Sequence, residues 1–139
     1  MSEIRKITLR FMKNKSYFLF LDDIRDPVDV CLYFEPKKLH PLYENEQWEI
    51  VRSYDEFVNH ITDNGLPACI SFDHDLADEH YQNMSGGDFK EKTGYECAKW
   101  LVEFLLEHNL ELPVIYCHSM NPVGKENILN LFENFRKNR

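Results

Sequence analysis

Ala68-Cys69-Ile70-Ser71-Phe72-Asp73-His74-Asp75 is the stretch on which the fold turns. Its first five residues form a short, nearly continuous apolar run, without the in–out alternation of a half-solvated strand. A run of that kind reads as a strand buried on both faces of a parallel sheet. It then passes straight into three polar, titratable side chains. Working outward, the same grammar recurs twice. Tyr17-Phe18-Leu19-Phe20-Leu21 ends in Asp22-Asp23, and Val114-Ile115-Tyr116-Cys117 ends in His118-Ser119, followed by Asn121. Trp48-Glu49-Ile50-Val51-Arg52 is weaker and reads as a more peripheral strand.

Helical signals lie between these runs. Ser53-Tyr54-Asp55-Glu56 is a capping box, with Ser53 as cap and Glu56 reaching back. Phe57, Val58 and Ile61 supply an apolar face, and Gly65 ends the helix. Thr93-Gly94-Tyr95-Glu96 is a second box, followed by Ala98, Leu101, Val102 and Leu105 at helical spacing up to about His108. Asn121 caps a third helix with Pro122 in its first position; Ile128, Leu131, Phe132 and Phe135 form its face. Strands alternating with helices predict a parallel sheet with right-handed crossovers. The expected fold is a single three-layer, doubly wound α/β domain over residues 1–139, truncated to about four core strands in the order 2-1-3-4. Residues 1–15 are an N-terminal extension in which Ile7, Leu9 and Phe11 alternate like an extra strand, at a sheet edge or against Val30–Phe34. Between Val28 and Gln47 a helix should join the first two strands, but Pro36 and Pro41 interrupt it. Ala77 to Lys92, with Gly86-Gly87, reads as a long loop.

Bulk properties narrow the function classes. The chain has 139 residues, 43% of them apolar, enough for a real core. No apolar stretch approaches the ~20 residues that span a bilayer, and the N-terminus lacks the apolar centre of a signal peptide. The expectation is a cytoplasmic protein with no membrane partner. The four cysteines, Cys31, Cys69, Cys97 and Cys117, are widely spaced, so a disulfide framework is not expected. A formal net charge of −8 argues against an extended nucleic-acid groove, though a nucleotide or single chain end fits a local pocket.

With order 2-1-3-4, chain order reverses between strands one and three, where ligands bind in open α/β sheets. Asp22, Asp23, Asp73 and Asp75 would meet there. Clustered carboxylates need a counter-charge, and a hard divalent cation such as Mg2+ or Mn2+ is the economical one. Successive strand residues point oppositely, so one of Asp22 and Asp23 is the expected direct ligand. The third helix begins beside the fourth strand's end. Its free amides, with Gly124 allowing close approach, suit a phosphate, assisted by Ser119, Asn121, Lys125 and Arg25. His74 and His118 are candidate proton carriers. Each has a plainer reading: a cap or turn for Asp22-Asp23, an Asx-turn for Asp73 and Asp75, simple capping at Asn121–Gly124, an ion pair for Arg25, and structural roles for the histidines. A zinc site of Cys117, His118 and His74 has poor spacing, and Cys117 should face the core. His40, His60, His80 and His108 read as surface or loop residues, and Tyr95 and Trp100 as packing.

Leu21-Asp22-Asp23-Ile24-Arg25-Asp26-Pro27, Ser71-Phe72-Asp73-His74-Asp75-Leu76, Thr93-Gly94-Tyr95 and His118-Ser119-Met120-Asn121-Pro122-Val123-Gly124-Lys125-Glu126 resemble, in order, the signature blocks of the cyclic-phosphate processing receiver-like family. The resemblance covers about residues 17–136 and implies a receiver/flavodoxin-like fold related to response-regulator receiver domains. It implies processing of cyclic phosphates on nucleotides or RNA ends. In receiver terms Asp22 and Asp23 look like the metal-binding acidic pair, Asp73 like the phosphate-accepting aspartate, and Ser119 like the small hydroxyl residue. The fifth receiver strand and its lysine have no counterpart, while Asp75 and His118 are additions. Three functions follow as expectations: a metal-dependent phosphoesterase using Asp73, His118, His74 and Ser119; a non-catalytic binder of cyclic nucleotide or phosphate; and a phospho-switch with Asp73 as acceptor.

Overall fold

The computed structural model describes residues 15–35, 37–76 and 92–138. The strand expected around Ile7–Phe11 and the loop expected from Ala77 lie outside them, apart from Lys92. Four strands form one sheet in the order β2-β1-β3-β4: β1 (Lys15–Leu21), β2 (Trp48–Val51), β3 (Pro67–Phe72) and β4 (Val114–Cys117). Every pairing is parallel, as the continuous apolar runs predict. The central strands are sealed on both faces: Leu19, Phe20, Leu21, Ile70, Ser71 and Phe72 have no exposed surface. The edges are wetter, with Ile50 and Val114 exposed.

Helices α2 (Tyr54–Asn64), α3 (Gly94–His108) and α4 (Pro122–Lys137) follow β2, β3 and β4. Their caps are the expected ones. Ser53 Oγ, Thr93 Oγ1 and Asn121 Oδ1 accept from the amides of Glu56, Glu96 and Gly124. Each bond satisfies a backbone donor that a helix start leaves orphaned. Glu56 does reach back, but to the Arg52 amide at 3.3 Å, one residue before the cap. Leu19, Leu21, Ile70 and Phe72 pack with Phe57 and Ile61 of α2, Leu101 and Leu105 of α3, and Ile128 and Phe132 of α4 in the larger core.

The other core is smaller and aromatic. Phe20 packs with Val30, Phe34 and Tyr43, and Trp48 leans on it. This layer comes from the β1–β2 connection, which differs from the expected interrupted helix. It consists of two 3-10 helices, Pro27–Leu32 and Lys37–Leu39, then α1 (His40–Asn45). Pro27 and Pro41 open helical turns, where a missing N–H costs nothing, so Pro41 starts a helix rather than breaking one. Val30 lies in a 3-10 helix, so Val30–Phe34 offers no strand for an N-terminal strand to pair with.

Register sets the top of the sheet. Val51, Leu21, Phe72 and Cys117 stand level on adjacent strands. One residue further on, the Asp22, Asp73 and His118 amides donate to Val51 O, Leu21 O and Phe72 O at 3.1, 3.0 and 2.9 Å. Asp22, Asp73 and His118 therefore form one row beyond the strand ends. The start of α3 is jammed against that row: a Cβ on Gly94 would lie 1.7 Å from the Asp73 carbonyl oxygen. The Gly94 amide donates to His74 O at 2.7 Å. Gly94→Ala is expected to lose about 2 kcal/mol or more in urea denaturation, the size of a forced overpacking. Wild-type stability in that variant would contradict the close approach.

Candidate active site

Asp22, Asp73 and His118 bring their ligand atoms within 4.8 Å of one another, the tightest part of the site. Asp22 and His118 are fully buried and Asp73 is 4% exposed. The Asp22 carboxylate does two jobs. Oδ1 accepts from the Ile24 and Arg25 amides at 3.0 and 2.8 Å, which realises the turn reading of this residue. Oδ2 faces His118 Nε2 at 3.0 Å and Arg25 Nη1 at 3.5 Å. Burial pushes this carboxyl up, but the bonds from His118 and the two amides outweigh it and hold it below its ordinary value.

Asp73 lacks such support. Burial and then the charge of Asp22 raise its carboxyl to about 7, against weaker lowering by the His74 amide and Arg25. Asp23 stands half-buried beside the group and is likewise raised by burial and by Asp22. Asp75 lies outside the group, with its side chain 63% exposed. Its oxygens meet His74 Nδ1 at 3.0 Å and Asn121 Nδ2 at 3.5 Å.

The two histidines part company. His118 is sealed behind Asp22, stacked on Phe20 with centroids 4.4 Å apart. Its Nδ1 lies 2.8 Å from Ser71 Oγ, and Ser71 Oγ lies 2.7 Å from the Tyr43 hydroxyl. Burial holds the imidazole below its ordinary pKa, so the ring is neutral. An ionised Asp22 only accepts, so Nε2 carries the proton. Nδ1 then accepts from Ser71, and Ser71 accepts from Tyr43. The Tyr43 phenol stays protonated because burial raises it. Tyr33 closes the cage by donating to the His118 carbonyl at 2.7 Å. His118 thus orients Asp22 rather than meeting solvent. His74 remains partly open, at 18% exposure, with its ring where a Gly124 Cβ would come within 2.3 Å of Cγ.

The expected phosphate-binding residues surround the row. Arg25 lies over the Tyr33 ring at 5.0 Å and donates to Met120 Sδ at 3.4 Å. Ser119 Oγ accepts from the Asn121 amide at 3.1 Å. Lys125 Nζ sits 5.0 Å from the Phe34 centroid. Arg52 ties the acidic loop down, donating to Asp22 O, Arg25 O and Asp26 Oδ1 at 3.3, 2.6 and 2.7 Å. Sequence reasoning missed Ser71, Tyr33, Tyr43 and Arg52. Ser71 did carry a signal, as the one serine inside the three apolar runs. Cys117 is buried, and its neighbour His118 spends both ring nitrogens on Asp22 and Ser71, so the disfavoured zinc grouping does not form.

A four-stranded parallel sheet in this order, with an acidic row at its carboxyl edge, defines a receiver-type α/β domain. Residues 17–134 match the cyclic-phosphate processing receiver domain, and the chain belongs to that family. No curated protein and no solved structure matches it significantly. Among the described residues, no helix is long and apolar enough to cross a membrane.

Two outcomes test this geometry. From about pH 4 to 7 the folded chain keeps a proton on Asp73 that the unfolded chain has released. Stability should therefore fall as pH rises through that window, with the penalty complete above about 7. His118, held below 6.5, acts oppositely as pH falls, so a variant must isolate the Asp73 contribution. In chelator at pH 8, Asp73→Asn should be more stable than wild type by up to about 4 kcal/mol, with the gap narrowing towards pH 4. Equal stability at every pH would contradict the unsupported carboxylate. Ser71→Ala leaves the Tyr43 hydroxyl and His118 Nδ1 without partners, and each buried orphan costs about 1–3 kcal/mol. Chemical denaturation should show a loss of about 2–6 kcal/mol, whereas an unchanged midpoint would break the relay.

Proposed function

We propose that this domain is a metal-dependent phosphoesterase that opens cyclic phosphates on nucleotides or RNA ends. The observation that carries the reading is the buried Asp22–Asp73 pair at the switch point of the sheet, with ligand oxygens within 4.8 Å of each other. The donor set suits a hard cation. Asp22 and Asp73 present oxygen, Asp23 stands next to them, and the His118 nitrogen is already spent on Asp22. Mg2+ or Mn2+ fits that chemistry better than a softer ion. Asp22 and Asp73 would hold the cation, with Asp23 at its margin and Asp75 further out through His74.

When bound, such an ion offsets charge on the phosphoryl oxygens and makes a bound water more acidic. The chain's own groups account for the rest. Arg25 can exchange its weak contact with Met120 for a two-pronged grip on phosphate. The Ser119 hydroxyl, the Val123 amide at the start of α4 and the Lys125 ammonium can add donors, Pro122 having no N–H and the Gly124 amide being held by the Asn121 cap. Water adds to phosphorus and one ring P–O ester bond breaks, leaving a monoester and a hydroxyl. The departing oxygen needs a proton. His74 is the histidine near the opening: with Nδ1–H on Asp75, its Nε2 lone pair can take the proton that the attacking water loses and pass it to that oxygen. His118 serves as a positioning residue, fixing the Asp22 carboxylate through Nε2–H.

A second reading, capture without turnover, is favoured by one observation: His118, the candidate proton carrier at the β4 end, is sealed off from solvent. Incubating pure protein with Mn2+ or Mg2+ and a panel of cyclic nucleotides and cyclic-phosphate RNA ends separates the two. Phosphoesterase action predicts monoester product, at least a hundredfold less of it in Asp73→Asn, and a marked fall in His74→Ala. A raised melting temperature with no product across the panel would support capture and defeat turnover.

A further inference from the structure

We propose that Cys31, His40 and Glu44 form a second metal site, of the Zn2+ class, in the connection between β1 and β2. The three residues come from two short elements. Cys31 lies in the 3-10 helix Pro27–Leu32, while His40 and Glu44 are four apart on α1 and so share one face. Their ligand atoms, one sulfur, one nitrogen and one oxygen, lie within 4.8 Å of one another. That mixed set differs in kind from the carboxylates at the sheet edge and suits a borderline-soft ion with three protein ligands and an open fourth position.

Two details point the same way. His40 Nε2 lies 2.7 Å from Phe34 O. A carbonyl only accepts, so Nε2 carries the proton and the neutral ring keeps its lone pair on Nδ1. A ring N–H donated to a backbone carbonyl is the usual way a metal-binding histidine is aimed. Cys31 Sγ donates its S–H towards His40 O at 3.6 Å, and its sulfur lies within 4.8 Å of a Glu44 carboxylate oxygen. A divalent ion displaces this proton, and the thiolate and carboxylate together balance its charge. Cys31 and His40 are half-buried and Glu44 is exposed, so an ion reaches the group from solvent.

The position gives the site a consequence. Tyr33, two residues after Cys31, holds the His118 carbonyl; Tyr43, between His40 and Glu44, holds Ser71. An ion here pins α1, which carries Tyr43, to the 3-10 helix that Tyr33 caps, and with them the support behind Asp22. The inference does not depend on the phosphoesterase reading.

The test uses the full chain, stripped of metal and titrated with Co2+ alone, then with Zn2+. The expected result is a thiolate-to-cobalt charge-transfer absorption saturating at one equivalent and erased by Zn2+. Cys31→Ser should abolish the band and His40→Ala should weaken Co2+ binding at least tenfold. Asp73→Asn should leave the band in place, separating this site from the acidic row. No thiolate band, or a band that survives Cys31→Ser, overturns the proposal. Should Cys31→Ser fail to fold, Glu44→Ala changes only an exposed side chain and must weaken Co2+ at least tenfold; unchanged affinity overturns the proposal equally.

Discussion

Two carboxylates that repel each other are held side by side because the backbone leaves them no choice. Parallel pairing puts Leu21 level with Phe72, so the next residues, Asp22 and Asp73, emerge on one row. Both are buried, where a negative charge loses its hydration and feels its neighbour strongly. The rest of the site is organised around that conflict. Asp22 is relieved by two amides and a histidine and stays ionised. Asp73 is not relieved, and its carboxyl rises to about 7. A group left in that condition is a common mark of a functional position rather than a structural one.

The two faces of the sheet divide the labour. One carries the bulk apolar core under α2, α3 and α4, which fixes the strands and their register. The other carries Phe20, Tyr43, Ser71 and His118, an aromatic layer threaded by hydrogen bonds that ends on Asp22. Among the described residues no buried side-chain nitrogen or oxygen lacks a partner. A satisfied buried network of this kind holds one geometry and keeps the acidic oxygens in place. Gly94 lets α3 start against the Asp73 backbone, and Gly124 lets α4 start against the His74 ring.

Most of the architecture is legible in the sequence. Three apolar runs ending in polar residues, separated by capped helices, were enough for the strand order and the meeting of Asp22 with Asp73. The β1–β2 connection was not legible, since 3-10 turns lack a long apolar period and Pro41 reads equally as a breaker or a starter. That gap hid Tyr33 and Tyr43, and so hid why His118 is sealed. His118 looked like a proton carrier because sequence gives strand-end position but not depth. Asp75 was expected to join Asp73, yet three positions past the strand the chain has left the row, and its carboxylate pairs with His74 and Asn121 instead.

The central claim is that Asp22 and Asp73 share a divalent cation. Diffraction from crystals soaked in Mn2+ with a phosphate analogue, recorded for manganese anomalous signal, tests it most directly. The account predicts one peak bonded to oxygens of both Asp22 and Asp73, about 2.0–2.3 Å away for a hard ion of this size, with His118 still on Asp22 and the analogue towards Ser119 and Arg25. A saturated soak with no peak between those two carboxylates would contradict it.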